Sequence, residues 1–393
     1  HIDPGIYYET LVITHDISLV RHDWFKISGG IPPFDLLPQD NLANLRKVHV
    51  ADGKLCSEMN NTNPKRGKIY KAFIHNDTKS IGTSTIKIEQ NAHVFLLDLC
   101  ISVGGMPKSG GCPLGRAGVQ LAQNAQVFAR DCQFIHHARE ISRMSPSITV
   151  GDHGILDMTA CSMKIEIANA KNKKDLAHIP VPDHVRGAPS VLVVGKGQAT
   201  IRGECDIAFN ITGPAIKVGG GARVNLEHSK FQNCRVGILA VGNAHVSTKE
   251  MKIVASVNAG VEARDNAFVH LNNTRVSTGR RGAILLLEMG RLFAEDCLLA
   301  RHSMGTVALL GGLSFSAKNT LMEDSRGSGI FVDANFQGTI ELDKVSITNN
   351  KRYGIESRRS QDHLLKDAPG VRFAENEKGD VGWPDGNFQK VSL

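Results

Sequence analysis

Apolar and polar residues alternate in short segments that recur at a regular distance along most of the chain. Each segment begins just after a glycine, and successive glycines lie 22 to 25 residues apart. These glycines are Gly237, Gly260, Gly282, Gly305, Gly329 and Gly354. Within a segment two apolar residues stand two positions apart, as Val307 and Leu309 do. Because the side chains of a strand point alternately to opposite faces, this pattern predicts strands with one buried face.

Every repeat contains two further strands with the same alternation. In one repeat Phe315 and Ala317 belong to the second strand. After two polar residues, Thr320 and Met322 belong to the third. The same template fits upstream as far as Ile86, which gives ten recognisable rungs and an irregular eleventh. One rung fits only with a one-residue bulge before its third strand, in the range 191–207.

Three strands in roughly 23 residues close one coil, and each coil pairs with the next at a spacing of about 4.8 Å. No coil buries its own apolar face, so the stability of such a chain comes from the stacking of neighbours. Leucine-rich repeats have a similar period, but they need a leucine consensus and a helical segment in each repeat, and neither is present. The sequence therefore predicts an all-β fold, a right-handed parallel β-helix of ten to eleven three-strand rungs.

The repeat places four of the eight cysteines at one buried position. This column at the start of the third strand contains Leu99, Cys132, Cys161, Cys205, Ser229, Met251, Thr274, Cys297, Thr320 and Val345. The cysteines show no CxxC spacing, so neither a zinc site nor a redox motif is predicted. Unpaired buried thiols favour a reducing compartment, and we expect an intracellular, cytoplasmic location. Four Asn-x-Ser/Thr sequons argue for the opposite.

Insertions mark the places where loops leave the predicted rod. We expect a single β-helix domain over residues 1–374, with inserted loops at 22–82, 104–116 and 166–189. The last two fall between a third strand and the next first strand, which is how solenoids build a binding face. Residues 375–393 are predicted to cap the rod or to lie along its side.

The beginning of the chain carries a recognisable motif. Residues 4–13 read PGIYYETLVI, and Ile17-Ser18-Leu19 follows. This resembles the first coil of pectin methylesterases, and it is equally similar to the sugar-hydrolase-type β-helix repeats of certain F-box proteins and of centralspindlin-associated proteins. The resemblance to the pectin-lyase-like superfamily covers most of the chain. It implies a right-handed β-helix, and it raises the possibility of an enzyme that acts on polyuronates.

The catalytic motifs of these families are not matched. Pectin methylesterases carry a glutamine before a strand like 119–121, a glutamine-aspartate pair after a strand like 132–134, and an aspartate after a strand like 161–163. Here the matching stretches read RAG, HHARE and EIA. The paired aspartates of polygalacturonases are also missing. Glu140 and Glu166 lie near the expected positions and are the candidate catalytic residues that the resemblance leaves.

The outward positions of the first strand are mostly apolar from residue 192 to residue 331. Only Lys217 and the rung with Glu262 and Arg264 interrupt them. Consecutive outward apolar residues do not belong in water, so we expect a cover: the chain's own loops or tail, another protein, or a hydrophobic ligand. Glu262 is the third candidate catalytic residue. The predicted partner-binding residues are Leu192, Val194, Leu239, Val241, Leu285, Leu287, Leu310 and Phe331.

Composition narrows the possible partners. The net charge of +7 comes in short clusters without a basic helix, so nucleic-acid binding is not expected. Aromatic residues make up 5% of the chain, which is few for a protein that stacks sugar rings. No apolar run is long enough for a membrane span. His136, His137 and Glu140 form the most metal-like cluster, but a loop does not give them a shared face. We predict no metal and no cofactor.

These observations favour a non-enzymatic scaffold or protein-binding subunit of a larger assembly. It would use the outward face of the first strands and the flanking loops. The alternative is a carbohydrate-active enzyme, namely a polyuronate lyase, esterase or epimerase, whose site contains Glu140 and Glu166 or Glu262. A carbohydrate-binding module is a third hypothesis. The chain begins at His1 without an initiator methionine, so we expect a fragment or a trimmed chain.

Overall fold

The computed structural model describes residues 6–8, 11–20, 72–75, 86–103, 118–138, 146–167, 187–359, 370–382 and 388–389. All regular elements within these residues are β-strands, which form three sheets. Among the described residues no helix is long and apolar enough to cross a membrane. Each strand pairs in parallel with the strand three places further along the chain, apart from irregular pairing near the C-terminus. This strand order confirms the predicted parallel β-helix.

The first sheet has 14 strands in the described part of the chain, the second has 11 and the third has 13. The first sheet contains β2 (Leu11–Ile13), β5 (Ile86–Ile88), β8 (Val119–Leu121), β11 (Ile148–Val150), β14 (Val191–Val193), β17 (Pro214–Val218), β20 (Val236–Ala240), β23 (Ala259–Ala263), β26 (Gly282–Leu286), β29 (Gly305–Leu309), β32 (Ser328–Val332), β35 (Tyr353–Ser357), β37 (Gly379–Gly382) and β38 (Phe388–Gln389). The second contains β3 (Ile17–Val20), β6 (His93–Leu97), β9 (Gln126–Arg130), β12 (Ile155–Thr159), β15 (Gln198–Arg202), β18 (Arg223–Glu227), β21 (His245–Lys249), β24 (Phe268–Asn272), β27 (Arg291–Glu295), β30 (Ser314–Lys318) and β33 (Thr339–Asp343). The third contains β1 (Ile6–Tyr8), β4 (Ala72–His75), β7 (Leu99–Val103), β10 (Gln133–Ala138), β13 (Ser162–Ile167), β16 (Asp206–Ala208), β19 (Lys230–Gln232), β22 (Lys252–Val254), β25 (Arg275–Ser277), β28 (Leu298–Ala300), β31 (Leu321–Glu323), β34 (Ser346–Thr348) and β36 (Arg372–Ala374).

The core is one continuous apolar cluster that runs through all the rungs. Inward residues of successive rungs stack on one another, as Phe231 stacks between Ile207 and Ile253 in the third sheet. Phe134, Phe231 and Phe315 are among the largest fully buried side chains. Because each rung contacts only its neighbours, the stability of the rod depends on this nearest-neighbour stacking.

The six cysteines that the structure describes are free thiols, and all are buried. In the predicted column, the backbone N–H of Cys161 donates to the sulfur of Cys205 at 3.2 Å. Hydrogen bonds with Cys132 and Cys205 raise the pKa of Cys161 well above its usual value. Burial raises the pKa of Cys297 to about 11 and that of Cys234 to about 12. Thiols with such raised pKa values are poor nucleophiles, which fits the expected packing role.

The turns between the second and the third sheet are tight. A single residue there has a left-handed backbone conformation, such as Asn273 with φ of 44° and Asn319 with φ of 48°. The rung with the predicted bulge has two such residues in succession, Gly203 and Glu204. The extra residue is therefore taken up in this turn, and Cys205 still enters the buried column.

The structure describes only short pieces of the expected insertions and of the tail. Strand β4 lies within 22–82, and it pairs with β1 and β7 as part of the third sheet. Residues 104–116 lie outside the described residues, and so do 168–186. Within the tail, β37 extends the first sheet next to β35.

Candidate functional site

The middle outward positions of the first sheet form one unbroken ladder along the rod. Strand register pairs each residue of this ladder with the corresponding residue one rung further on. The ladder runs through Lys87, Gln120, Thr149, Leu192, Lys217, Leu239, Glu262, Leu285, Ala308, Phe331 and Glu356. The outward residues of this column that the alternation predicted from Leu192 to Phe331 are therefore brought together in the predicted order.

A second column stands beside the ladder, at the residue that follows each strand. Its backbone N–H groups donate to carbonyl groups of the preceding rung, as Leu287 does to Ala263 and Leu310 does to Leu286, each at 3.0 Å. The column contains Val194, Gly219, Val241, Arg264, Leu287, Leu310, Asp333 and Arg358. The eight predicted partner-binding residues thus lie on one face. Leu310 is exposed and the other seven are half-buried.

Turn residues extend this apolar surface beyond the predicted positions. Met289 is 54% exposed and Leu313 is 40% exposed, and both lie in turns between the first and the second sheet. Met304, at 67% exposure, lies in a turn between the third and the first sheet. The alternation of inward and outward residues along a strand does not apply to turn residues, so the sequence pattern missed these three. We define the apolar band as Leu285, Leu287, Met289, Met304, Leu310, Leu313 and Phe331.

Glu262, the third candidate catalytic residue, lies buried within this face. Its side chain is 2% exposed, between Leu239 and Leu285 in the ladder. The guanidinium group of Arg264, two residues further on, forms an ion pair with its carboxylate. A paired and covered carboxylate of this kind fits a structural role better than acid–base work on a substrate.

The other carboxylates of the face also have partners. Asp333 lies 3.8 Å from the guanidinium group of Arg358, whose cation stands over the Phe331 ring at 5.1 Å. Glu356 accepts a hydrogen bond from the Ser328 hydroxyl at 2.5 Å, and its other oxygen is 2.7 Å from Arg352. An acid and a base placed on opposite sides of a sugar would need a pair of available carboxyl groups. Glu262, Asp333 and Glu356 do not supply such a pair, because each has an arginine partner.

The remaining candidate catalytic residues do not join Glu262. Glu140 lies outside the described residues. Glu166 belongs to β13 in the third sheet, where it is in register with His137 of β10. Four rungs separate β13 from the rung of Glu262, a distance of about 19 Å along the rod. The structure therefore does not bring these two glutamates into one site.

The predicted metal-like cluster is placed differently from the expectation. His136 and His137 were expected in a loop, but β10 continues to Ala138 and includes both. His136 is buried, because the parallel pairing of β10 with β13 extends across six residues at this point. Among the described residues, no group of three or more His, Cys, Asp or Glu side chains is arranged to hold a metal ion.

Charges of opposite sign line the two edges of the apolar band. Exposed arginines precede β26 and β32, and an acidic residue follows each of β23, β26 and β32 within two positions. We define the basic edge as Arg280, Arg281 and Arg326, and the acidic edge as Asp265, Glu288 and Asp333. The pKa of Asp265 lies below its usual value, because hydrogen bonds with Glu288 and with the backbone N–H of Gly242 stabilise its carboxylate. The carboxylate form of Asp265 is therefore favoured.

Comparison with known proteins supports the fold. The family model described as "Right handed beta helix region" matches residues 184–321 and 218–367. With the strand order, this match confirms the predicted right-handed parallel β-helix. No curated protein matches the sequence.

Several solved structures are similar in outline. The periplasmic alginate epimerase AlgG is 11% identical with a TM-score of 0.46, over 75% of this chain and 82% of that one. The A-module of the Azotobacter vinelandii mannuronan C-5 epimerase AlgE4 is 11% identical with a TM-score of 0.35, over 76% and 90%. The Dettilon tailspike protein is 11% identical with a TM-score of 0.32, over 76% and 62%. No residue role is transferred from these proteins.

Proposed function

We propose that this chain is a non-enzymatic protein-binding subunit, and that the outer face of the first sheet is its binding surface. The apolar band carries the proposal. Four of the five most exposed large apolar side chains in the described residues belong to it, namely Met289, Met304, Leu310 and Leu313. A concentration of exposed large apolar side chains on one face of a folded protein is typical of an interaction site.

The composition of the band fits a protein partner better than a sugar. Interfaces between proteins are enriched in methionine and aromatic residues and depleted of charge at their centre. At the centre of the band, Leu285 and Phe331 lie one rung on either side of Ala308 in the ladder, and methionines stand at the two edges. Methionine side chains adapt to irregular partner surfaces because they are unbranched and polarizable.

The rod beneath the band supports the role of a scaffold. The strands of the band are joined to the rungs on either side by continuous backbone pairing, so its side chains are held at fixed spacing. A pre-formed surface avoids part of the ordering cost of binding. The engagement of Glu262, Asp333 and Glu356 in ion pairs and hydrogen bonds supports binding rather than catalysis on this face.

Capture experiments with matched variants test the proposal. Leu285→Ser/Leu287→Ser makes the centre of the face polar. Leu298→Ser/Leu321→Ser is the control, because these two leucines are also half-buried outward residues, but they lie on the third sheet in the rungs of β26 and β29. The wild-type chain and both variants are immobilised, and the proteins that each retains from native extract are identified by mass spectrometry.

The expected result is a defined set of proteins that the control variant retains and the first-sheet variant loses. Retention of the same proteins by all three chains would contradict the proposal, and so would the capture of nothing by the wild type. The polyuronate-enzyme hypothesis makes a different prediction, since turnover would survive the loss of Leu285 and Leu287.

A further inference from the structure

Along the rod, the first-sheet strands of the apolar band alternate between strands with charged residues at both ends and a strand with apolar residues at both ends. Strand β26 is preceded by Arg280 and Arg281 and followed by Glu288. Strand β32 repeats this polarity, with Arg326 before it and Asp333 after it. The row between them is apolar at both ends, because Met304 precedes β29 and Leu310 follows it. In the rows of β26 and β32 the face therefore changes from basic before the strand to acidic after it.

A face with this polarity is complementary to itself under one particular symmetry. A two-fold axis that lies in the interface, parallel to the rod, turns the face over and exchanges its edges while it keeps each rung at its own level. The basic edge of one copy then meets the acidic edge of the other. A two-fold axis perpendicular to the rod would instead place like charges together.

The rung levels match under the first arrangement. Arg281 and Glu288 bound the same strand, so the arginine of one copy meets the glutamate of the other at the same level. Arg326 and Asp333 bound β32 in the same way. Between these rows, Met304 of one copy meets Leu310 of the other, so the rows pair as charged, apolar and charged.

The extent of the footprint sets the expected strength of the contact. Lys217 would face its own copy near the axis, so this residue marks one limit. The five rungs from Leu239 to Phe331 remain. With about 4.8 Å per rung and about 23 Å across each strand and its two turn residues, they present on the order of 550 Å² per copy. Specific interfaces begin at about 1,000 to 1,200 Å² in total, so a reversible dimer is expected.

We propose that the apolar band binds a second copy of this chain, about a two-fold axis parallel to the rod, with the basic edge of each copy against the acidic edge of the other. This inference rests on the proposed function, because it names the partner of the same face. The partner's chemistry is that of the band itself: a central apolar surface with acidic residues opposite Arg280 and Arg326.

Charge-reversed variants test the arrangement by sedimentation velocity over a concentration series. Arg280→Glu/Arg326→Glu makes both edges of the face acidic, and Glu288→Lys/Asp333→Lys makes both edges basic. Each variant alone is expected to be a monomer where the wild type is a dimer, with dimer affinity reduced at least about tenfold, or about 1.4 kcal/mol. An equimolar mixture of the two is expected to recover the dimer, because every edge again meets its opposite.

Two controls keep the test decisive. Arg223→Glu/Arg291→Glu makes the same charge change on exposed arginines of the second sheet and is expected to leave the dimer intact. Thermal unfolding of each variant shows whether the rod itself is unchanged. Failure of the mixture to recover the dimer, with all variants folded, would overturn the proposed arrangement.

The remaining outcomes separate this inference from the proposed function. A wild-type chain that stays monomeric at every concentration would overturn the self-association, while the capture of other proteins through Leu285 and Leu287 would still support a binding face. A dimer that survives Leu285→Ser/Leu287→Ser would also overturn the inference, because the contact would then lie elsewhere on the rod.

Discussion

The outer faces of the first and the second sheet belong to the same coils, yet they carry different kinds of side chain. On the second sheet, polar side chains of neighbouring rungs pair with one another across the strands. These pairs are Arg202–Asp157 at 2.8 Å, Ser247–Asn225 at 2.5 Å and Lys318–Glu295 at 2.9 Å. On the first sheet, the corresponding positions carry the apolar band. Since the backbone is equivalent, the two faces differ in the side chains that they carry, and we propose that the first-sheet face contacts protein.

One type of interaction occurs on both faces and shows the contrast directly. Arg264 and Glu262 pair within one rung of the first sheet, where the surrounding leucines bury the glutamate. Arg202 and Asp157 pair across two rungs of the second sheet, and both remain partly exposed to solvent. Removing one partner of an ion pair costs more stability where the remaining charge is buried away from water. The loss of Arg264 is therefore expected to lower the free energy of unfolding more than the loss of Arg202.

The largest expected effect on the free energy of unfolding distinguishes the buried interior from the apolar band. Leu286 is fully buried beneath the first sheet, and Leu286→Ala is expected to lower the free energy of unfolding by about 2 to 5 kcal/mol. The neighbouring outward residue makes few interior contacts, so Leu285→Ala is expected to cost less than about 1 kcal/mol. Urea unfolding followed by circular dichroism measures both. Equal costs would show that the outward leucine belongs to the core rather than to a binding face.

The next largest effect is the pH dependence of stability that arises from His302, a buried histidine behind the basic edge. Burial lowers the pKa of His302 to about 4, and its ring contacts the backbone of Val276 and Gly279. The unfolded chain takes up a proton near pH 6.5, before the folded chain does, so stability is present above that pH and falls as the pH drops towards 4. From pH 7 to pH 5 the wild type is expected to lose about 2 kcal/mol more than His302→Gln.

Unfolding of both chains at the two pH values measures this difference, because the other titrating groups are common to both. Parallel pH profiles would mean that the histidine is hydrated in solution and that the turn behind the basic edge is open.

The third largest effect on stability is expected from the ion pair of Arg264 and Glu262 on the first sheet. Arg264→Met leaves the buried Glu262 without its cation and is expected to cost about 2 kcal/mol, less than for a fully buried pair because the arginine is partly exposed. Adding Glu262→Gln is expected to recover most of the loss. If the second substitution worsened the loss instead, the carboxylate would have a further partner on this face.

The ion pair of the second sheet gives the smallest effect. The pKa of Asp157 is raised, chiefly by partial burial, which Arg202 offsets in part. Arg202→Ala is expected to cost about 0.5 kcal/mol, and Asp157→Asn in that background to restore it. The same unfolding assay applies. An effect as large as that at Arg264 would remove the contrast between the two faces.

The sequence predicted the rod and its outward ladder because both follow from a period of two residues. Leu285 and Phe331 were placed correctly, since each lies between two buried positions of one strand. Met289, Met304 and Leu313 were missed, because the direction of a turn residue depends on the turn and not on alternation.

The burial of Glu262 was also beyond the sequence pattern. Its position in the outward column predicted exposure. Its burial depends instead on the leucines in the adjacent rungs and on the side chain of Arg264, and the alternation along one strand predicts neither contact. The beginning of β10 followed from the repeat, whereas its continuation through His136 and His137 did not. That extension depends on six-residue pairing with β13, which only the register reveals.

The most direct test of a binding rather than a catalytic first-sheet face is a turnover assay on polyuronates. Wild-type protein and Glu262→Gln are incubated with pectin, polygalacturonate and alginate, with and without calcium, and unsaturated products, released methanol and epimer ratio are followed. We expect no turnover by either chain on any substrate. Turnover by the wild type that disappears in Glu262→Gln would contradict it and place a catalytic site within the band.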